Sequence, residues 1–168
     1  MKRVSALLCV ILATAGCAGY RLGPTNGEVA GNKTIEVVPF VNRTMEPRLS
    51  ESVTSLMRKT LQQDGTYRLE TQERGDIVVT GSILKLERSE LSFQPTDVRT
   101  VRDYYLFLIA QVTAIERSTG KTNINQIVTG RTAIRVGADL ASAERQAVPL
   151  LAADLARNAT SIIVDGKW

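Results

Sequence analysis

Side chains that act as nucleophiles, general bases or metal ligands near neutral pH are scarce in this sequence of 168 residues. It contains no histidine, which excludes Ser-His and Cys-His nucleophile pairs and His-ligated metal ions. Both cysteines, Cys9 and Cys17, lie close to the N-terminus, so a disulfide framework and a thiolate metal site are excluded as well. A Ser-Lys dyad or a carboxylate pair such as Glu87 and Glu90 is the remaining enzymatic alternative, but no nucleophile elbow accompanies any serine. We therefore expect no enzyme, no catalytic residue, no cofactor and no metal site.

The residues before Cys17 predict export from the cytoplasm. Lys2 and Arg3 form a short positive segment, and the apolar run over 4–12 is shorter than the roughly 20 residues that a membrane-spanning helix needs. Small residues then lead directly to Cys17. We therefore interpret residues 1–16 as a signal peptide.

Cys17 is the candidate site of covalent modification. The segment Ala-Thr-Ala-Gly-Cys at 13–17 resembles the lipobox of bacterial lipoproteins, although Thr14 stands where leucine is usual. The resemblance implies that the mature chain begins at Cys17 with acyl chains such as palmitate, which together form a stable membrane anchor. Because Ala18 follows the cysteine, similarity to lipoprotein sorting in enteric bacteria favours the outer membrane, with the protein on the periplasmic side. In the alternative interpretation, Cys17 is a small apolar residue near an ordinary signal-cleavage site.

Positive charge is concentrated in one part of the chain. The net charge is +4, and it falls to about +2 without the two basic residues of the signal peptide. Between residues 99 and 135, basic residues outnumber acidic ones, whereas the rest of the mature chain is slightly acidic. We select Arg99, Arg102, Arg131 and Arg135 as candidate contacts for an anionic lipid or an acidic partner, because arginine binds phosphates and carboxylates through charge-assisted hydrogen bonds. Alternatively, these side chains lie on the solvated face of a sheet.

The pattern of apolar residues predicts one folded domain. Residues 17–33 are rich in glycine, so we expect a lipidated tether that leads into a domain over residues 34–168. A change of phase near Gly81 predicts a bulge or a bend in one strand. Strands are expected over 34–41, 67–71, 77–86, 101–116 and 124–136.

Two apolar stripes at helical spacing predict two packed helices. The first helix should begin after Thr44 and end before Gly65. The second should begin near Asp139 or Ser142, and it should kink or break near Val148 because Pro149 interrupts its pattern. The stripes consist of Leu49, Val53, Leu56, Met57 and Leu61 in the first helix and of Ala147, Leu151, Leu155 and Ile162 in the second. The element order predicts an α+β two-layer sandwich, with two helices packed on one face of a mainly antiparallel four- to five-stranded sheet. The other face requires polar residues or a partner.

Several segments together resemble the lipopolysaccharide-assembly lipoprotein family LptE. They are residues 17–22 (CAGYRL), residues 34–47 (TIEVVPFVNRTMEP) leading into a helix, and residues 75–83 (GDIVVTGSI). The closing helix and the terminal Trp168 are similar to the more divergent members. The similarity covers nearly the whole mature chain, although a Pro-Phe-x-Asn strand end also occurs in other lipoproteins.

The resemblance implies a non-enzymatic role. Members of the LptE family plug the outer-membrane barrel LptD, help it to assemble, and bind lipopolysaccharide on its way to the cell surface. The expected partners are therefore an LptD-like β-barrel, lipopolysaccharide and, through the lipid anchor, the membrane, with no nucleic acid. The alternative function is a periplasm-facing lipoprotein adaptor of a secretion pore or a cell-wall synthase.

Overall fold

The computed structural model describes residues 29–94, 97–135 and 139–166, with the backbone alone for residues 92–94 and 97–102. Cys17 and Trp168 lie outside the described residues. The elements are β1 (Thr34–Val37), β2 (Val41–Asn42), α1 (Leu49–Asp64), β3 (Arg68–Glu70), β4 (Ile77–Gln94), β5 (Asp97–Glu116), β6 (Thr122–Arg135) and α2 (Leu140–Asp165).

The sheet is mixed, so the expectation of a mainly antiparallel sheet with four to five strands matches it only roughly. Its strands follow the order β3-β1-β4-β5-β6, and β2 also pairs with β4, which makes six strands within the described residues. β1 is parallel to both β3 and β4, and β2 is parallel to β4, whereas β4, β5 and β6 form an antiparallel meander. The parallel part arises because α1 carries the chain back to the starting end of β1 before β3 begins.

The predicted first strand is divided into two short strands at Pro39. The N–H of Val38 still donates to the carbonyl of Val79 at 2.9 Å, but Pro39 has no N–H to continue the ladder. The chain resumes pairing at Val41, opposite Ser82. This division accounts for the additional strand.

Both helices cover the same face of the sheet, as expected. The largest fully buried side chains include Ile35, Ile77 and Leu108 from the strands and Leu61 and Leu151 from the helices. Leu56 and Ile162 were also assigned to the helix stripes, but they are only partly buried. The stripes therefore form the core with the helix-facing side chains of the sheet.

Two glycines allow close contact between layers. At Gly81, the ring of Phe40 occupies the space that a Cβ atom would need, so the ring packs directly against the backbone of β4. At Gly130, a Cβ atom would lie 2.5 Å from the carbonyl oxygen of Leu151, so α2 lies directly against β6 at this point. The expected irregularity of β4 occurs slightly later than Gly81, as a register shift between Ile83 and Lys85.

The two helices begin differently, because only α2 has a side-chain cap at its N-terminus. α1 begins after Arg48, which has a left-handed backbone conformation and makes no side-chain capping hydrogen bond, so the expected start after Thr44 is too early. α2 is capped by Asp139, whose carboxylate accepts from the N–H groups of Ala141 and Ser142. The expectation of a break near Val148 is wrong, because α2 continues through Pro149.

α2 is also long and apolar. Within the described residues it is the one helix whose length and composition would allow it to cross a membrane, but 56% of its most apolar window is buried inside the domain. Such burial is typical of a core helix.

Candidate functional site

The described chain enters the domain at the end of the sheet where β1 and β4 begin and where β5 turns into β6. We call this the anchor end, because the first described residue, Val29, enters here and the predicted lipidation site, Cys17, precedes it in the sequence. The N–H of Gly31 donates to the carbonyl of Thr66 at 2.9 Å, and the N–H of Arg68 donates to the carbonyl of Lys33 at 3.1 Å. These hydrogen bonds attach the entering chain to β3 and to the turn after α1.

A polar network joins the strands at the anchor end. Asp76 accepts hydrogen bonds from the backbone N–H of Thr34 at 2.8 Å and from its hydroxyl at 2.7 Å, and both lower the pKa of the Asp76 carboxyl. The buried Glu36 carboxylate pairs with the guanidinium of Arg117 at 2.5 Å, and Nε of Arg117 donates to the carbonyl of Gly75 at 2.8 Å. Arg117 is therefore a structural residue, although it lies in the basic stretch of the sequence.

The face of the sheet opposite the helices carries an apolar row along β5. We call this surface the open face. Tyr105 is 37% exposed, Phe107 and Ile109 are half-buried, and the rings of Tyr105 and Phe107 lie 6.1 Å apart. The cross-strand neighbours of the row are charged: Lys85 lies opposite Ile109 on β4, and Arg131 lies opposite Phe107 on β6. Apolar and cationic groups therefore share this surface.

Two of the four candidate arginines lie on β6 at the margin of the open face, and both are exposed. The backbone N–H of Arg131 donates to the carboxylate of Asp154 at 2.9 Å, and within the described residues the Arg131 guanidinium has no ion-pair partner. Nε of Arg135 donates to Asp103 at 3.0 Å, so the charge of Arg135 is already balanced. Arg131 is therefore the more available cation of the two.

The other two candidates, Arg99 and Arg102, lie on β5 beyond the end of β6. The last pairing of β6 joins Arg135 to Asp103, and β5 then continues beside β4 alone within the described residues. We call this extension, residues 91–94 and 97–102, the β4–β5 arm. Its backbone pairing is irregular, with register shifts on both sides of Phe93. The side chains of Arg99 and Arg102 lie outside the described residues.

The basic stretch does not form a single patch. Arg117 and the exposed Lys121 lie at the anchor end, whereas Arg135 lies near the base of the β4–β5 arm. Arg99 is separated from Glu116 by about 17 residues of strand, which corresponds to roughly 55 Å. The excess of basic residues between positions 99 and 135 therefore combines cations that lie at opposite ends of the sheet.

The described residues hold no group of three or more His, Cys, Asp or Glu side chains that could bind a metal ion. Sequence patterns did not predict the pairing of Arg117 with Glu36 or that of Arg135 with Asp103. Each pair joins residues that are distant in sequence, by 81 and 32 positions. No local spacing pattern could have revealed them.

Comparison with known proteins assigns the domain to a family. Residues 32–164 match the model of the LptE lipopolysaccharide-assembly family. The chain belongs to the LptE family. The match includes both helices almost completely and every strand of the sheet described above. No curated protein matches the sequence significantly.

Solved structures share the fold of this LptE-family chain. A protein from Xanthomonas campestris aligns with a TM-score of 0.60 and 8% identity, over 86% of this chain and 90% of that one. A hypothetical protein from Chlamydia trachomatis aligns with a TM-score of 0.58 and 10% identity, over 80% and 96%. A minor lipoprotein from Acinetobacter baumannii gives a TM-score of 0.52 and 13% identity, over 79% and 92%. At these identities the likeness establishes the fold alone.

Proposed function

We propose that this chain is an outer-membrane lipoprotein, anchored through Cys17, that plugs an LptD-like β-barrel, assists its assembly and contacts lipopolysaccharide in transit. The observation that carries the proposal is the match to the LptE family over residues 32–164, which includes nearly all of the described fold. In this proposal residues 1–16 are a signal peptide and residues 17–33 are the tether. The role requires no catalytic residue.

The arrangement of the two ends of the sheet supports insertion into a barrel. The roughly 12 residues between Cys17 and Val29 span at most about 40 Å when fully extended, so the anchor end stays near the membrane leaflet that holds the lipid. The β4–β5 arm lies at the opposite end of the sheet. Residues 97–102 of β5 extend roughly 20 Å beyond its last pairing with β6, so an arm directed into the lumen reaches about two thirds of the way across the hydrocarbon core of a bilayer, which is about 30 Å thick.

The open face supports contact with an amphiphile. Lipopolysaccharide carries phosphates and acyl chains, and the open face places the Arg131 cation beside the apolar row of Phe107 and Ile109. A guanidinium binds phosphate through charge-assisted hydrogen bonds, and the row offers apolar surface next to it. Exposed Thr129 and Asn125 on β6 give the same face polar groups for a water-filled lumen.

Affinity purification of the tagged, lipidated protein from detergent-solubilised envelopes tests the proposal. We expect a large outer-membrane β-barrel to co-purify in a fixed ratio and to be identified by mass spectrometry. The Cys17→Ser variant provides a control for association that depends on membrane anchoring. Recovery of a secretion pore or a cell-wall synthase without the barrel would support the adaptor function instead.

A further inference from the structure

One edge of β4 is left without a neighbouring strand. On the side of β1 and β2, β4 is paired at Ile77–Val79 and at Ser82–Ile83. From residue 84 to residue 94, β4 pairs only with β5 within the described residues. Residues 84–94 of β4 therefore have a free edge on the β2 side, directly beyond the end of β2.

The register identifies the backbone groups at this edge. The carbonyl of Ile83 accepts from the N–H of Arg43 at 3.0 Å, so the backbone groups of Ile83 are directed to the β2 side. The bulge between Ile83 and Lys85 shifts the alternation by one residue. The N–H and carbonyl groups of Leu86, Arg88 and Glu90 are therefore at the free edge, whereas those of the residues between them are directed to β5.

A groove lies next to the start of this edge. It has a volume of about 530 Å³ and is lined by the loop at 43–46 and by β4 at 84–87. Met45 is fully exposed beside it, and Leu84 and Leu86 are half-buried in its wall. Its charges are balanced, since Lys85 pairs with Glu87 at 3.4 Å, and Arg43 and Glu46 have opposite charges. Unpaired backbone groups together with apolar side chains and no net charge fit an extended polypeptide.

The other edge of the sheet shows a different arrangement. On β6, the carbonyl of Thr129 accepts from Asn158 at 2.8 Å, and the N–H of Arg131 donates to Asp154 at 2.9 Å. Both side chains belong to α2, so this helix blocks the middle of the outer edge of β6. Proteins commonly protect long edges in this way, because a free edge recruits another strand.

We propose that the free edge of β4 at Leu86–Glu90 receives an extended segment of the barrel protein as an added strand, in line with β2. The barrel protein as donor rests on the proposed function. Main-chain hydrogen bonds to Leu86, Arg88 and Glu90 supply the affinity, and the groove beside Met45 and Leu84 receives an apolar side chain of the donor. Strand addition would hold the base of the β4–β5 arm in place, because beyond Ile83 the strand β4 pairs only with β5 within the described residues.

Hydrogen exchange of the complex tests strand addition directly. In the purified lipoprotein, the amides of Leu86, Arg88 and Glu90 should exchange rapidly, while those of Lys85, Glu87 and Ser89 are protected by β5. In the complex with the barrel protein, the three edge amides should exchange at least about tenfold more slowly. Unchanged exchange of the edge amides in a stable complex would overturn the inference and leave the proposed function intact. Absence of the barrel protein from the purification would contradict both.

A matched pair of variants separates the backbone contact from the side chain. Arg88→Ala and Arg88→Pro both remove the ion pair of Arg88 with Glu144, which measures 3.1 Å, but only proline also removes the edge N–H. We expect Arg88→Pro to bind the barrel protein at least about tenfold more weakly than Arg88→Ala, with similar melting temperatures for the free proteins. Equal affinities would contradict strand addition at this edge. If Arg88→Pro does not fold, photo-crosslinkers at positions 86, 88 and 90 decide instead: crosslinks to alternate residues of one barrel segment support the inference, and their absence contradicts it.

Discussion

Cys17 is the residue on which the proposed membrane anchoring depends. Cys9 leaves with the predicted signal peptide, so the mature chain has no other thiol. We expect Cys17→Ser to prevent lipidation and to leave the protein soluble or held only by its uncleaved signal, whereas Cys9→Ser should be lipidated normally. Mass spectrometry of the mature N-terminus checks both variants. An unmodified N-terminus at any other residue of the parent protein would end the lipoprotein interpretation.

Arg131 and Arg135 differ in what surrounds their charges. Arg135 pairs with Asp103, whereas the Arg131 guanidinium has no ion-pair partner within the described residues. We expect Arg131→Glu to weaken binding of purified lipopolysaccharide about two- to tenfold at low salt, and Arg135→Glu to have a smaller effect. Lys121→Glu, which makes the same charge change at the anchor end, is the matched control.

Measurement at two ionic strengths completes the test of Arg131. Salt screens exposed charges over about 10 Å at ~0.1 M, so the difference between the parent and Arg131→Glu should shrink as salt rises. Equal affinities for Arg131→Glu and Lys121→Glu would show that Arg131 does not contact the lipid. The contacts proposed for Arg99 and Arg102 would then require their own variants.

The exposure of single residues could be predicted from sequence where a strand alternates regularly. The period of two on β6 places Val128 and Ile134 in the core and leaves Arg131 and Arg135 exposed. The role of Arg117 could not be predicted in this way, because its partner Glu36 is 81 positions away. Periodicity reports which face a residue occupies but not which partner it meets there.

At the scale of elements, α2 supplies the sharpest test of core packing. Leu151 is fully buried, whereas its neighbour Leu150 is 59% exposed. Leu151→Ala should lower the free energy of unfolding by roughly 2–5 kcal/mol, through lost burial and a residual cavity. Leu150→Ala should change it by less than about 0.5 kcal/mol. Urea unfolding of the two variants checks this contrast, and equal losses would contradict the packing of α2 on the sheet.

The helices and the long strands were predicted from sequence more accurately than their ends. Both helix stripes extend over several turns, so their periodicity is unambiguous. The start of α1 was misjudged because Thr44, a favourable N-cap residue, instead hydrogen-bonds with Asn42 at 2.8 Å. Pro149 does not break α2, since the buried side chains of Val148 and Leu151 pack both sides of it against the core. In these two places, tertiary contacts override the local preference.

For the whole molecule, the class of fold followed from element order, but the direction of the strands did not. The hairpins between β4, β5 and β6 have short connections that require antiparallel pairing. The position of β1 between β3 and β4 depends on the long-range pairings of Ile35 with Leu69 and with Ile77, which have no signature in the local pattern. The resemblance to the LptE family extends over nearly the whole mature chain, and the family match over residues 32–164 confirms it.

The free energy of unfolding of the whole domain should depend on pH through Asp76, which lies at the anchor end. Hydrogen bonds from Thr34 hold the pKa of Asp76 below its usual value of 3.8, so the folded state favours the ionised carboxylate more than the unfolded state does. Asp76 therefore contributes stability that is fully present above the unfolded pKa and is lost as the pH falls through the lower folded pKa. Asp76→Asn should be less stable than the parent at pH 7 and should lose less stability between pH 7 and about pH 3.

Urea midpoints at these two pH values check the acid prediction. Glu87→Gln, at an exposed position of β4, controls for the loss of one negative charge. An equal loss of stability on acidification for the parent and Asp76→Asn would show that the contact between Thr34 and Asp76 does not contribute to the pH dependence.

The orientation of the whole molecule on the membrane is the last prediction. The sheet separates the anchor end from Met45, because β4 extends about 8 residues, or roughly 27 Å, from Ile77 to the groove beside Met45. A random coil with the length of the proposed tether, about 12 residues, has an end-to-end distance of roughly 20 Å, which is less than this separation. Since the mature chain has no other free thiol once Cys17 is lipidated, Lys121→Cys and Met45→Cys can each be labelled at one site with a fluorophore.

The experiment uses vesicles that contain the lipidated protein with its barrel partner, and an acceptor dye confined to the lipid headgroups of the anchoring leaflet. Energy transfer to this dye should be stronger from position 121 than from position 45. The physical reason is that the tether holds the anchor end close to that leaflet while the rigid sheet carries Met45 away from it. The same labels in the Cys17→Ser protein give the signal without an anchor. Equal or reversed transfer from the two positions would exclude the orientation in which the β4–β5 arm is directed away from the anchor and into the barrel.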